Sequence, residues 1–134
     1  MKERLVGGCL CGEIKFELEG DFKAFYQCYY KQCRQLTGTA FASNLFTNTD
    51  NIRWTRGYDS LSKYEHPTRS FSKAFCSLCG SALPFVNKSQ SALIVPAGCL
   101  ESEISPVPSA NIFYNERACW LESGQNAPKK PSFP

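Results

Sequence analysis

Six of the eight cysteines in this chain stand in three close pairs. The pairs are spaced as Cys9-x-Cys11, Cys28-x4-Cys33 and Cys76-x-x-Cys79. Each pair is too close in sequence to favour a disulfide between its members, and each is well spaced to bind one metal ion. The chemistry to expect is therefore that of thiolate metal ligands.

The first and third pairs are each followed by a glycine, Gly12 and Gly80. A glycine after a ligand lets the backbone turn so that its amides approach the sulfurs without a Cβ clash. Together the two pairs supply four thiolates, a ligand set of tetrahedral structural zinc. We therefore expect one structural zinc on Cys9, Cys11, Cys76 and Cys79. The alternative, buried free thiols or redox pairs, is disfavoured by this spacing.

Cys28 and Cys33 supply only two thiolates, which are too few to saturate a zinc ion. An unsaturated zinc keeps open positions for water or a substrate, which is the condition for catalysis. The same shortage of ligands weakens binding, so the second site is either catalytic or empty. The residues alone leave both alternatives open.

The length and charge of the chain exclude several classes of protein. At 134 residues with 43% apolar side chains, it is most economically one domain with a modest core. We expect this domain to span residues 1–134, with the proline-rich residues 125–134 as a loosely ordered tail. The net charge of +3 comes from dispersed basic residues, which argues against a nucleic-acid partner. The sequence leaves the oligomeric state open.

No export or membrane signal is visible in the sequence. Only Leu5 and Val6 follow the charged first residues before two glycines, so the apolar region of a secretory signal is missing. No stretch approaches the ~18 apolar residues of a membrane span, so we expect no membrane partner. Eight cysteines without an export signal predict a reducing, cytoplasmic location, with a secreted disulfide scaffold as the disfavoured rival.

Strand patterns dominate the rest of the chain. Residues 13–19 alternate charged and apolar side chains, which predicts a half-buried strand. Residues 34–38 predict one helical turn that ends at a glycine. Further short strands are expected at residues 22–28, 39–46, 52–54, 60–64, 69–75, 82–86, 92–95 and 112–114, with a short packed segment at 118–121. With no long amphipathic helix, the expected fold class is all-β with small sheets.

Three stretches carry a resemblance to a known family. They read GGCLCGEIKF at residues 7–16, CRQLTGTAF at residues 33–41 after Cys28, and FCSLCGS at residues 75–81. Their order and flanks resemble the glutathione-dependent formaldehyde-activating enzyme family over nearly the whole chain. PAGCL at 96–100 and the segment 112–120 are similar to the weaker C-terminal pattern of that family.

The resemblance implies a fold and two metal sites. The fold is of the β-tent type, with small antiparallel sheets around a structural zinc on the outer four cysteines. A second, catalytic zinc is held by a C-x-C-x-x-C run, whose first and third ligands match Cys28 and Cys33. This chain has Tyr30 at the second ligand position, and a phenol with a pKa of about 10 is a poor zinc ligand at neutral pH. Cys99 and Cys119 are candidates to replace the missing thiolate, although isolated cysteines are more often small buried apolar residues.

The function that the resemblance implies is a zinc-dependent carbon–sulfur lyase-type enzyme that acts on glutathione adducts of formaldehyde or a similar small aldehyde. The second zinc would polarise an aldehyde oxygen or hold a thiol as its thiolate. Cys28, Cys33 and Arg34 are then the catalytic residues, and Arg34 coincides with a position of the family pattern.

Cations near the second pair would help to bind glutathione, because glutathione is anionic. Lys31, Arg69 and Lys73 are candidates, each with a solvated surface charge as the alternative. His66, the only histidine, is interpreted as a surface residue of a loop.

Two other functions stay open. The main alternative is a non-catalytic zinc-stabilised domain that binds a small thiol or a protein partner, because Tyr30 replaces an expected cysteine ligand. A nucleic-acid-binding zinc ribbon fits the cysteine pairs but not the dispersed charge.

Overall fold

The computed structural model describes residues 3–134. Within them the chain forms the strands β1 Arg4–Gly8, β2 Lys15–Glu19, β3 Ala24–Cys28, β4 Ala42–Thr47, β5 Arg53–Arg56, β6 Leu61–Glu65, β7 Ser72–Cys76, β8 Ala82–Leu83, β9 Phe85–Val86, β10 Leu93–Pro96 and β11 Ala110–Ile112. The α-helices are α1 Lys31–Thr37 and α2 Leu121–Gln125, and short 3₁₀ helices cover Tyr58–Ser60, Ala97–Cys99 and Tyr114–Glu116.

These strands form three small sheets. The first sheet has the order β1-β2-β5, the central sheet β11-β3-β4-β10-β9 and the third sheet β6-β7-β8. Neighbouring strands are antiparallel except β11 and β3, which run parallel with Ile112 opposite Cys28. A parallel neighbour needs a long crossover, and residues 97–109 provide it. The prediction of an all-β fold of small sheets is confirmed, and the expected antiparallel pairing holds for each pair in these sheets except β11 with β3.

The core draws side chains from all three sheets. Alternation in β2 buries Phe16 and Leu18 and leaves the residues between them partly exposed. Leu18 lies opposite Leu5 of β1, and Phe16 meets Trp54 edge to face with ring centroids 5.6 Å apart. The central and third sheets add the buried side chains of Phe25, Leu45, Leu83, Leu93 and Val95. Burial of apolar surface, worth about 25 cal/mol per Å², holds the sheets against one another.

Several strands differ from the sequence prediction, and three of the differences have a visible structural cause. β1 has no predicted counterpart, because its two glycines interrupt the alternation of side chains. β2 begins two residues later than predicted, because the Ile14 N–H donates to the Cys9 sulfur at 3.2 Å and so belongs to a turn. The predicted strand 82–86 is two strands in different sheets, because the buried Pro84 between them has no N–H to donate to a sheet.

The segments around the middle cysteine pair are also longer or shifted. α1 begins at Lys31 and ends before Gly38, whose φ of +65° lets its N–H donate to the Arg34 carbonyl. The predicted strand at 112–114 ends at Ile112, because Phe113 has a φ of +54° and turns the chain away. Farther on, Ala118 and Leu121 are buried, as the predicted packed segment requires.

Within residues 3–134, no helix is both long and apolar enough to cross a membrane. The chain after α2 has neither helix nor strand. The single-domain boundary and the looseness of the tail at 125–134 stay predictions.

Candidate metal centre and thiol site

The first cysteine pair lies in a tight turn between β1 and β2. The Cys9 carbonyl accepts a hydrogen bond from the Gly12 N–H at 3.1 Å, and Gly12 has a φ of +82°. The Ile14 N–H donates to the Cys9 sulfur, while the Cys9 N–H donates to the Ile14 carbonyl at 3.1 Å. The turn therefore holds the sulfur of Cys9 inside and leaves Leu10 exposed at its tip.

The third pair repeats this arrangement at the end of β7. The Gly80 N–H donates to the Cys76 carbonyl at 2.7 Å, and Gly80 has a φ of +78°. The Cys76 sulfur accepts from the Leu78 N–H at 3.4 Å, and the Cys76 N–H donates to the Ser81 carbonyl. A bond from the Leu10 N–H to the Ser81 hydroxyl, at 3.0 Å, ties the two turns together.

The four sulfurs of these turns converge on one point. All lie within 4.8 Å of one another, with Cys9 and Cys11 at 3.6 Å and Cys11 and Cys76 at 3.8 Å. Tetrahedral zinc with Zn–S bonds of ~2.3 Å sets its sulfurs about 3.8 Å apart. The cluster of Cys9, Cys11, Cys76 and Cys79 therefore fits a metal ion.

The electrostatics of the cluster also suit a cation. The Ser81 hydroxyl is the main cause that lowers the pKa of Cys79 to about 5. Burial opposes ionisation of Cys9, but hydrogen bonds from the Ile14 N–H and from its neighbours outweigh it and lower the pKa of that thiol. The pKa of Cys11 rises to about 12, although the Glu13 N–H acts against the rise, because burial and the adjacent sulfurs disfavour another negative charge. A bound cation would relieve this repulsion.

The middle pair is brought together by the corner between β3 and α1. Cys28 ends the strand and is buried, and Cys33 in the helix is half-buried. The Cys33 thiol donates to the Cys28 sulfur across 2.9 Å. This bond is the main cause that lowers the pKa of Cys28 to about 7, against the effect of burial. The same contact raises the pKa of Cys33, so Cys33 keeps its proton.

An aromatic cluster occupies the position where the family resemblance implies a third thiolate. The ring of Tyr30 meets Phe113 edge to face, with centroids 4.8 Å apart, and lies 6.0 Å from the ring of Phe71. Tyr29, next in the chain, packs on Phe41 and Tyr114. The tyrosine at position 30 thus takes part in side-chain packing.

The residues of the middle site do not fit a three-thiolate zinc. The outer cysteines are the one group of three or more His, Cys, Asp or Glu ligand atoms within the part of the chain that the structure describes. Neither Cys99 nor Cys119 joins Cys28 and Cys33: Cys99 lines a cavity beside Cys9, and Cys119 is exposed in another region. The separation of 2.9 Å is also short of the ~3.8 Å between two thiolates on tetrahedral zinc.

Arg34 binds backbone carbonyls. Its Nε donates to the Tyr29 carbonyl at 3.2 Å and its Nη2 to the Glu116 carbonyl at 3.0 Å. The guanidinium thereby joins α1 to the segment after β11. Its catalytic role stays a prediction.

The other predicted cations surround the same helix. The Lys73 ammonium donates to the Leu36 carbonyl at 2.6 Å, and the Arg69 guanidinium lies against the Gln32 side-chain amide. Lys31 is exposed. None of the cations Lys31, Arg34, Arg69 and Lys73 takes part in an ion pair with another residue of the range 3–134.

The side chain of His66 stabilises a turn. Its Nδ1 accepts hydrogen bonds from the backbone N–H groups of Thr68 and Arg69, both at 3.1 Å. It belongs to neither cysteine site.

Sequence reasoning missed Phe71, Phe113 and Glu116 as neighbours of the middle pair. Phe113 and Glu116 arrive there because β11 pairs in parallel with β3 and sets Ile112 opposite Cys28. Spacing along the chain carries no sign of that pairing. The aromatic segment at 112–114 is the signal that the sequence offers, and its pattern predicts a strand, not a contact with Tyr30.

Comparison with known proteins gives a family match and a similar solved structure. The family described as glutathione-dependent formaldehyde-activating enzyme matches residues 4–116. A crystal structure of a Rhodobacter sphaeroides protein is similar, with a TM-score of 0.59 and 26% identity over 77% of this chain and 97% of that one. No curated protein matches the chain significantly. Because the family match spans most of its length, the chain belongs to the glutathione-dependent formaldehyde-activating enzyme family.

Proposed function

We propose that the protein is a carbon–sulfur lyase-type enzyme that acts on glutathione adducts of formaldehyde or a similar small aldehyde. The observation that carries the proposal is the 2.9 Å contact between the Cys33 thiol and the Cys28 sulfur, in a chain of this family. The reaction takes place at this pair, which we name the dithiol site.

The reaction needs a base and an acid within reach of one another. When S-hydroxymethylglutathione breaks down, its hydroxyl loses a proton, the C=O bond forms, the C–S bond breaks and the departing sulfur takes a proton. The thiolate of Cys28, with its pKa lowered to about 7, suits the base, and the protonated Cys33 suits the acid. The proton gained by Cys28 then returns to Cys33 across their contact. The reverse sequence adds glutathione to the aldehyde.

Charge near the dithiol site supports an anionic substrate. Lys31 and Arg69 are exposed on the α1 side of the pair, and Arg34 and Lys73 are anchored there by carbonyls. The carboxylates of glutathione would be drawn towards these cations from solution. Glu116 has the opposite effect on Cys28: its negative charge raises the pKa of that thiol.

The metal has a structural role in this proposal. Zinc bound by the outer four cysteines would hold the first and third sheets in place, and no step of the reaction passes through it. A cytoplasmic location, in which glutathione keeps thiols reduced, suits free thiols at the dithiol site.

The exchange of glutathione between its free and hydroxymethyl forms, followed by NMR, tests the proposal. The wild type should accelerate exchange over buffer, and Cys28→Ser and Cys33→Ser should each lose at least about 100-fold, the usual contribution of general acid–base catalysis. Cys119→Ser, at an exposed cysteine elsewhere, is the matched control and should keep full activity. Exchange by the wild type that is no faster than in buffer would refute catalysis.

A non-catalytic domain that binds a small thiol or a protein partner is the second candidate. The packing of Tyr30 on Phe113 and Phe71 favours this candidate, because an aromatic side chain stands where a catalytic zinc would need a third thiolate. Calorimetry that shows saturable glutathione binding, combined with an unaccelerated exchange in NMR, would select this candidate over the enzyme.

A further inference from the structure

The dithiol site has the geometry of a disulfide precursor. Cys28 and Cys33 are both free, and their sulfurs are 2.9 Å apart. A disulfide bond is ~2.05 Å long, so the sulfurs need to approach by only about 0.9 Å. The sequence spacing argues against a disulfide within this pair, but the corner between β3 and α1 brings the two sulfurs into contact.

Because Tyr30 stands where a third cysteine ligand would be needed, both thiols of this pair are free to react. In a three-thiolate zinc site the metal would hold both sulfurs as ligands. Here Tyr30 packs on Phe113 and Phe71, and no third ligand atom from His, Cys, Asp or Glu joins the pair within the described residues.

We propose that Cys28 and Cys33 form a redox-active dithiol that exchanges with low-molecular-weight disulfides of the glutathione disulfide type. Cys33 is the more exposed of the two, so its sulfur attacks first, and its proton passes to the Cys28 sulfur across the hydrogen bond that joins them. The attack forms a mixed disulfide at Cys33 and releases one glutathione. The Cys28 sulfur then attacks the Cys33 sulfur, forms the intramolecular disulfide and releases the second glutathione. Two protein thiols are oxidised, one external disulfide is reduced, and the two protons leave on the two glutathione molecules.

The other cysteines are poorly placed for the same reaction. The outer four converge on a metal position, and a bound metal would hold their sulfurs as ligands. Cys99 lines a cavity beside the metal cluster and Cys119 is exposed in another region, and within residues 3–134 neither makes a sulfur–sulfur contact like that of the dithiol site. The exchange should therefore be selective for one pair.

Trypsin provides a direct readout, because it cuts after Lys31, between the two cysteines. Cys28 then lies in the peptide AFYQCYYK and Cys33 in QCR. Zinc-loaded protein is treated with excess glutathione disulfide, quenched with acid, alkylated, digested and analysed by mass spectrometry without reduction. An intramolecular disulfide appears as these two peptides linked together.

The expected result is a linked pair in the wild type that dithiothreitol separates, with zinc content unchanged. Cys28→Ser should accumulate one glutathionyl group on QCR, because the resolving thiol is missing. Cys119→Ser should behave as the wild type. The proposal is overturned if both wild-type peptides remain alkylated, if a glutathionyl group persists on Cys33 in the wild type, or if the linked peptides contain other cysteines. None of these readouts depends on turnover of aldehyde adducts, so failure here leaves the lyase proposal standing, and the reverse also holds.

Discussion

Tyr30 decides which chemistry the middle cysteine pair can perform. Its ring packs on the rings of Phe113 and Phe71, and the sulfurs of Cys28 and Cys33 contact each other directly. Two thiols are too few to complete a zinc site, and here the Cys33 thiol shares its proton with the Cys28 sulfur instead. We infer that this one side chain favours thiol chemistry over metal chemistry at the pair.

Tyr30→Cys should restore a three-thiolate site. We expect the zinc content to rise from one ion towards two per chain, because three thiolates plus water complete a tetrahedral catalytic site. Elemental analysis of dialysed protein measures this. Tyr30→Phe keeps the aromatic packing without adding a thiol, so its zinc content should stay at one ion per chain. Equal zinc contents in the two variants would show that position 30 has no part in metal binding.

The ionisation of Cys28 gives a pH-dependent signature. Its pKa falls from 9.0 to about 7 in the folded protein, so the thiolate stabilises the fold fully above pH 9 and this contribution is lost as the pH falls through about 7. The difference in ultraviolet thiolate absorbance between wild type and Cys28→Ser should have its midpoint near pH 7. In a Cys33→Ala background the midpoint should move up towards 9, because the hydrogen bond that stabilises the thiolate is gone. A midpoint that remains near pH 7 in this background would show that the low pKa of Cys28 has another cause.

At the scale of elements, the helix α1 is positioned by tethers from distant parts of the chain. Lys73 of β7 donates to the Leu36 carbonyl near the end of the helix. Arg34 links the helix to the Glu116 carbonyl after β11. These bonds hold α1, which carries Cys33, against β7 and the segment after β11.

Lys73→Met should loosen this helix. The substitution keeps the apolar stem and removes a charged hydrogen bond, so we expect the free energy of unfolding to fall by about 1–2 kcal/mol. Urea denaturation measures the change. Lys63→Met on the neighbouring strand β6 is the matched control, because Lys63 is exposed. If both variants lose the same stability, the tether has no specific effect.

Local pattern predicted some of these elements and missed others for physical reasons. Strict alternation at residues 13–19 identified β2, and the two glycine-flanked cysteine pairs identified the cluster of four sulfurs. β1 was missed because its glycines carry no side-chain signal. The contact of Phe113 with Tyr30 was missed because it depends on a parallel pairing between strands separated by most of the chain. Which strands become neighbours is a property of the whole fold, and no local spacing encodes it.

At the scale of the molecule, the four-cysteine cluster joins the first sheet to the third. The turn after β1 and the turn after β7 meet there, although they are separated by most of the chain. Thiolate binding of zinc in small domains is worth about 10–16 kcal/mol, which equals or exceeds the ~5–15 kcal/mol stability of a typical domain. The metal is therefore expected to determine whether the sheets stay together.

Metal stoichiometry tests the division of the cysteines into a metal cluster and a dithiol most directly. Zinc per chain should be one in the wild type and one in the Cys28→Ser, Cys33→Ser double variant, whose cluster is intact. Cys79→Ser should lose the metal and, with it, a cooperative thermal unfolding transition. Two zinc ions in the wild type that fall to one in the double variant, or a fully metallated and stable Cys79→Ser protein, would contradict the account.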